Sequence, residues 1–374
     1  MRQVYPKQRL LLVTATYQPP RAGVSAVEKA GSKMCGHALT LTYNKRDTFL
    51  KGLDDLIAKP ALTMEDEFAR ADSWTDWKGV AYTLVDEWAY VNGVAQRKDG
   101  CTPGTRDADN NGRTPQSFLT LVNDFIRERR QQGHGTLLHE EHAYLDLEEV
   151  LAVRLYSGPA YQPINNFLRQ IAPISDDAFR MELGRHPALT FASTVGHICR
   201  AIRKLAAVST PEESRAGLWR SVRGELQRAF WLPDQSGMVC AVDMAFMSTS
   251  RRRHAPIQYM QADGQANVLW ALESQPESDS GFHRGADISM LSQFAAEEEV
   301  LFPPCTMLVV KERDAKGSFK GGIAELAQAI VKSHELSEEV AAKAERTAYA
   351  GYDVHPCKED GREFLTVGAL PTFL

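Results

Sequence analysis

Apolar residues fall at helical spacing through the first half of this chain and shorten into strand-like runs in the second. Phe49, Leu50, Leu53, Leu56 and Ile57 line one face of a segment from Arg46 to Lys59, which Pro60 ends. Thr114 followed by Pro115 reads as an N-cap with proline in the first turn. It predicts a helix through Phe118, Leu121, Val122, Phe125 and Ile126 to Arg130. Further helices are expected over Leu145–Leu155, after the loop framed by Pro159 and Pro163, and over Phe191–Ala207. From Trp219 onward, short apolar stretches alternate with loops of Gly, Pro and Asp, as in a strand-rich core. Residues 322–346 return to helical periodicity and predict an insertion, about 318–350, before a last strand. The fold class expected is α+β, with helices first and a mainly antiparallel sheet after.

The best boundary is Gln131-Gln-Gly-His-Gly135, which sets a mostly helical region 1–140 of no assigned role apart from 141–374. Trp74, Trp77, Trp88 and Tyr90 concentrate aromatics in the first part and need a surface to pack on. Residues 1–25 hold Pro6, Pro19, Pro20 and Gly23 around one apolar run and read as an extended arm. With 43% hydrophobic and 24% charged residues, the composition is that of a globular protein. A net charge of −5 gives no electrostatic reason to bind nucleic acid or a membrane surface. No apolar run approaches a membrane span, and Leu10–Val13 is too short for a signal peptide, so a cytoplasmic location is expected. Cysteines 35, 101, 199, 240, 305 and 357 show no metal-ligand spacing, and no metal is expected. Asp107-Ala-Asp109-Asn-Asn111-Gly112 opens like a calcium loop, but Phe118 stands where the bidentate glutamate belongs. There is no glycine-rich dinucleotide or P-loop motif.

The chemistry concentrates in three strings. Val300, Leu301 and Phe302 before Pro303-Pro304 predict a strand, preceded by Glu297, Glu298 and Glu299. At strand periodicity Glu297 and Glu299 share a face and Glu298 takes the other. Two carboxylates on one face suit the mouth of a cleft where positive charge develops. Upstream, Phe246-Met247 leads into the hydroxyls Ser248, Thr249 and Ser250, and Leu218–Gly224 carries Arg220 and Arg223.

In that order, arginine, then Ser-Thr-Ser, then Glu-x-Glu, these strings resemble the arginine-specific mono-ADP-ribosyltransferases of the arginine–serine–glutamate class. Arg154–Tyr161 with Ile164–Arg169 resembles the family's opening helix and loop, Gly285–Ser292 the lead into its acid strand, and Arg362–Pro371 its closing strand. The resemblance covers residues 143–374 and implies an ADP-ribosyltransferase-like split β-sandwich with N-terminal helices. It implies NAD as substrate, cleaved at the nicotinamide–ribose bond through an oxocarbenium-like transition state. Glu299 matches the catalytic glutamate and Glu297 the acid that engages the acceptor guanidinium. Ser248 would hold Glu299 and the ribose, with Thr249 in support. A bidentate arginine suits the diphosphate. Arg220 in Trp219-Arg220-Ser221 is favoured, although Ser221 replaces the family's glycine. Arg223-Gly224 is the alternative, lacking the aromatic. Tyr156 and Tyr161 either stack on the nucleotide or belong to the core. Arg251-Arg-Arg253-His254 reads as a solvated turn in preference to a contact for an acidic acceptor or a phosphate. The partner implied is a protein with an exposed arginine, the chain itself included. An NAD glycohydrolase and an inactive interaction module remain open alternatives.

Overall fold

The computed structural model describes residues 15–16, 41–42, 62–76, 79–96, 105–135, 138–171, 191–226, 228–231, 239–262, 264–274, 284–312 and 351–373. The helices expected over 46–59 and 322–346, and Trp77, lie outside these. The chain divides into two compact units. One holds residues 1–208 with 288–296, the other 209–287 with 297–374.

The first unit is helical. Its described strands are β1 (Ala15–Thr16) and β2 (Leu41–Thr42), which pair in parallel, and the antiparallel β3 (Ser73–Thr75) and β4 (Ala81–Thr83). Its helices are α1 (Met64–Phe68), α2 (Leu84–Asn92), α3 (Pro115–Gln131), α4 (Leu147–Tyr156), α5 (Tyr161–Ile171) and α6 (Ala192–Ala207). Thr114 caps α3 as expected, in a reciprocal box with Ser117, and Phe118, Val122 and Ile126 form its buried stripe. Helix α4 is buried from Glu149 to Tyr156, so its charges need partners. Glu149 takes Lys204 at 2.7 Å and Arg200 at 3.1 Å. Arg154 takes Asp107 at 2.8 Å and lies over the ring of Phe118. Asp107, in what the sequence presents as a solvent loop, is fully buried in a left-handed conformation. Trp88 stacks on Phe68, which meets Phe191 edge-on, so the aromatic segment does find its surface.

The second unit is a nine-stranded sheet following a short helix α7 (Pro211–Arg215). Its strands are β5 (Gly217–Arg223), β6 (Cys240–Asp243), β7 (Met247–Ser250), β8 (Asn267–Glu273), β9 (Ala286–Asp287), β10 (Glu299–Phe302), β11 (Thr306–Val310), β12 (Val354–Glu359) and β13 (Arg362–Phe373). A short helix α8 (His254–Gln258) follows β7. The order is β6-β11-β13-β8-β5-β7-β10-β9, with β12 on β13, and every pairing but β13–β8 is antiparallel. The α+β class with a mainly antiparallel sheet is therefore observed.

The ladders run over several residue pairs except at β9, which pairs β10 at two positions, and between β5 and β7, which meet at the single pair Trp219↔Ser250. The sheet divides at that point into a large half and the three strands β7, β10 and β9. Met247, Val300 and Phe302 of the small half share one apolar core with Leu218, Trp270, Leu308 and Val367 of the large half. That is the split sandwich expected. Burial of these side chains, at about 1.5–3 kcal/mol each, holds the halves together where hydrogen bonds do not.

Candidate functional site

The acid strand begins later than the sequence suggests. Glu297 ends a 3-10 turn over Ala295–Glu297, and Glu298 has a φ of +48°, so β10 opens at Glu299. Glu297 and Glu299 do not share a strand face. They are set apart by a left-handed residue, yet remain close enough for the Glu297 carboxylate to act on Glu299. Glu299 is buried, and Ser248 Oγ donates to its Oε1 at 2.6 Å. Burial, with the Glu297 and Asp287 carboxylates, outweighs the Ser248 bond and the Arg220 charge and pushes its pKa up to about 7. Glu297 is less buried; Tyr259 Oη donates to its carboxylate and Ser250 Oγ to its carbonyl. Thr249 points away from Ser248, into the core, and donates to Val300 O at 2.7 Å.

Strand alternation separates the two arginines. Trp219, Ser221 and Arg223 face α8. Trp219 packs with Ile257 and Phe364, Ser221 Oγ donates to Pro256 O at 2.7 Å, and Arg223 Nε donates to Tyr259 O at 2.9 Å. Arg220 takes the other face. Its Nη1 donates to Ser248 O at 2.9 Å and its Nη2 to Asp243 Oδ2 at 2.7 Å, and its charge reaches Glu299. Gly224 closes the β5–β8 ladder with a φ of +92°, which a side chain rarely adopts. The structure therefore brings Arg220, Ser248, Glu297 and Glu299 together, while Ser221, Arg223 and Gly224 serve the other face and the turn. Tyr156 and Tyr161 belong to the helical unit. Tyr156 is buried with its hydroxyl accepting from Asn165 at 3.0 Å, and Tyr161 is exposed.

No family model and no curated protein matches the chain. Two solved structures of similar fold are ADP-ribosyltransferases and a third is an ATR domain. HopU1 of Pseudomonas syringae pv. Tomato is 17% identical, covering 76% of this chain and 95% of its own, with a TM-score of 0.37. The Vis toxin of Vibrio splendidus is 15% identical, over 70% and 87%, at 0.35. The SpvB ATR domain of Salmonella is 18% identical, over 60% and 98%, at 0.32.

Two further residues of this cluster are not singled out by the sequence. Asp243 ends β6 and fixes the Arg220 fork; its one hint is a carboxylate at the end of an apolar strand. Tyr259, just past α8, reaches Glu297 across 38 positions of sequence. The arginine run is not a free solvated turn. Arg251 pairs with Asp287, Arg252 with Glu298 at 2.6 Å, and Arg253 with Glu359 while lying over Trp219. Cys305, in the turn after β10, is exposed, and partial desolvation with the Asp243 carboxylate raises its thiol pKa. His254, Glu359 and Asp360 place ligand atoms within 4.8 Å of one another, with Glu359 already paired to Arg253.

Proposed function

We propose that this chain is an NAD-dependent protein-arginine mono-ADP-ribosyltransferase. The observation that carries the reading is the Ser248–Glu299 hydrogen bond of 2.6 Å beside Arg220, which unites the arginine, serine and glutamate of the sequence order at one edge of the split. Cleavage of the nicotinamide–ribose bond leaves positive charge on the anomeric carbon, and an ionised Glu299 stabilises it where it develops. Ser248 holds that carboxylate in place. Arg220, itself held by Asp243, presents its remaining N–H donors to the diphosphate. Glu297, held by Tyr259, receives the acceptor guanidinium, which is protonated at any ordinary pH.

Incubation with labelled NAD and an arginine-rich acceptor tests the reading directly. Label in protein means transfer, free ADP-ribose without labelled protein means a glycohydrolase, and untouched NAD means neither. Label appearing in the chain itself would identify automodification. The assignment of the diphosphate to Arg220 has its own measurement. Arg220→Lys keeps the charge and loses the fork, and NAD affinity should fall by about 1.5–3 kcal/mol in titration calorimetry, with Arg223→Lys costing clearly less. The reverse ranking moves the diphosphate to Arg223.

A further inference from the structure

Glu297 is held at two places within the second unit. Its carbonyl accepts from Ser250 Oγ of β7, and its carboxylate accepts from Tyr259 Oη. The first bond fixes the main chain, and the second fixes the far end of a flexible side chain. Tyr259 is 38% exposed, yet the backbone beneath it is gripped from the sheet. Ser221 Oγ donates to Pro256 O at 2.7 Å, Arg223 Nε to Tyr259 O at 2.9 Å, and Arg362 Nε to Met260 O at 3.3 Å. Asn267 closes the segment, accepting from the Gln261 amide at 2.8 Å and donating to the Gln261 carbonyl at 2.9 Å. Ile257 and Met260 are buried with Leu269 and Phe364, and Trp219 packs against them. A partly exposed phenol on so firm a base adds little to the core and places a hydroxyl donor accurately.

We propose that Tyr259 is a positioning residue for Glu297 and that Ser221 and Arg223 act through it, so that the face of β5 turned away from Arg220 governs transfer to a guanidine. The inference rests on the function proposed above. Strand alternation supplies its logic. Arg220 serves Ser248 O and Asp243 on one side of β5. Ser221 and Arg223, two apart, hold the backbone of α8 and Tyr259 on the other. Glu299 has its own anchors, in the ladder from β10 to β7 and in Ser248. Loss of the Tyr259 hydroxyl therefore releases the Glu297 carboxylate while Glu299 keeps its place. Ser221, which stands where the resemblance puts glycine, gains a role that glycine cannot fill, because glycine has no donor for Pro256 O.

Tyr259→Phe deletes the hydroxyl and keeps the ring. Ser221→Ala and Arg223→Met remove the bonds to Pro256 O and Tyr259 O beneath it. Each variant, alone and combined with Tyr259→Phe, is assayed for transfer to arginine methyl ester and for NAD hydrolysis. Tyr259→Phe should lower transfer about 10- to 100-fold while hydrolysis and the KM for NAD hold, as expected when one reacting group is misplaced. The β5 variants should lower transfer less, and should cost nothing further in the Tyr259→Phe chain, because they act through the same hydroxyl. Additive losses would overturn the proposal, as would transfer and hydrolysis falling together or transfer unchanged in Tyr259→Phe. A crystal structure of Tyr259→Phe gives a readout free of activity. The Glu297 carboxylate should leave its position with the Ser248–Glu299 bond intact, and a carboxylate left in place would overturn the proposal. A parent chain that leaves NAD untouched, or only hydrolyses it, overturns the functional reading and the control of transfer with it. The crystal structure then decides by itself whether Tyr259 holds Glu297.

Discussion

Glu299→Gln should lower transfer and NAD hydrolysis together, by at least about a hundred- to a thousandfold, the usual cost of removing a charge aimed at the transition state. The substitution keeps shape and an acceptor for Ser248 and removes only the charge, so a folded variant isolates electrostatics. Glu297→Gln should instead abolish transfer to arginine and keep a measurable share of hydrolysis. Transfer surviving in that variant would remove the acceptor role from Glu297. The same chemistry fixes a pH profile. Burial raises the Glu299 pKa to about 7, and only the ionised form stabilises the oxocarbenium. The kcat/KM for NAD, which reports the free enzyme, should therefore climb as pH rises through about 7 and level above it. A profile already flat from pH near 5 would mean that Glu299 is ionised throughout and that its burial is relieved.

A chain beginning at Leu137 should fail to fold, although it keeps every residue assigned to the chemistry. Cutting there removes Asp107 and leaves the Arg154 guanidinium, 1% exposed, without its carboxylate. Breaking a buried pair in this way costs about 3–5 kcal/mol. The cut also strips Phe118, Val122 and Ile126 of α3 and the Phe68–Trp88 stack from the helical core. Against a typical total of about 5–15 kcal/mol, losses of this size leave no folded state. Circular dichroism and a melting curve on the truncated chain decide it. A cooperative transition with bound NAD would show that α4 holds itself together and that Gln131–Gly135 is a true boundary.

What the sequence reveals and what it hides divides along physical lines. Helix α3 is legible because its start is written locally, in Thr114 and Pro115, and its buried stripe follows the helical period. Strand β10 is legible from Val300 onward because β-branched and aromatic residues before two prolines leave little else. The error at Glu297 arises one residue earlier. Periodicity assumes the strand continues backward, and nothing in three consecutive glutamates announces that the middle one turns left-handed. Asp107 was hidden for another reason. A polar loop residue looks solvated until its partner is known, and Arg154 lies 47 positions away. The two arginines of β5 differ by an odd number of residues, so alternation alone places them on opposite faces. Which face carries Ser248 is tertiary information, supplied by β7 and α8.

Strand β13 gives the sheet an unusual schedule. It lies between β11 and β8 and also carries β12, yet it is the last of the described strands to be synthesised. While a ribosome is still producing residues before Arg362, β5 and β8 can already pair, but the far edge of β8 has no neighbour. Val268, Trp270 and Leu272 then wait without the strand that completes their layer. Such an open, apolar edge favours pairing with other chains. Fragments ending before Arg362, whether from premature termination or proteolysis, are therefore expected to aggregate rather than persist as partly active species.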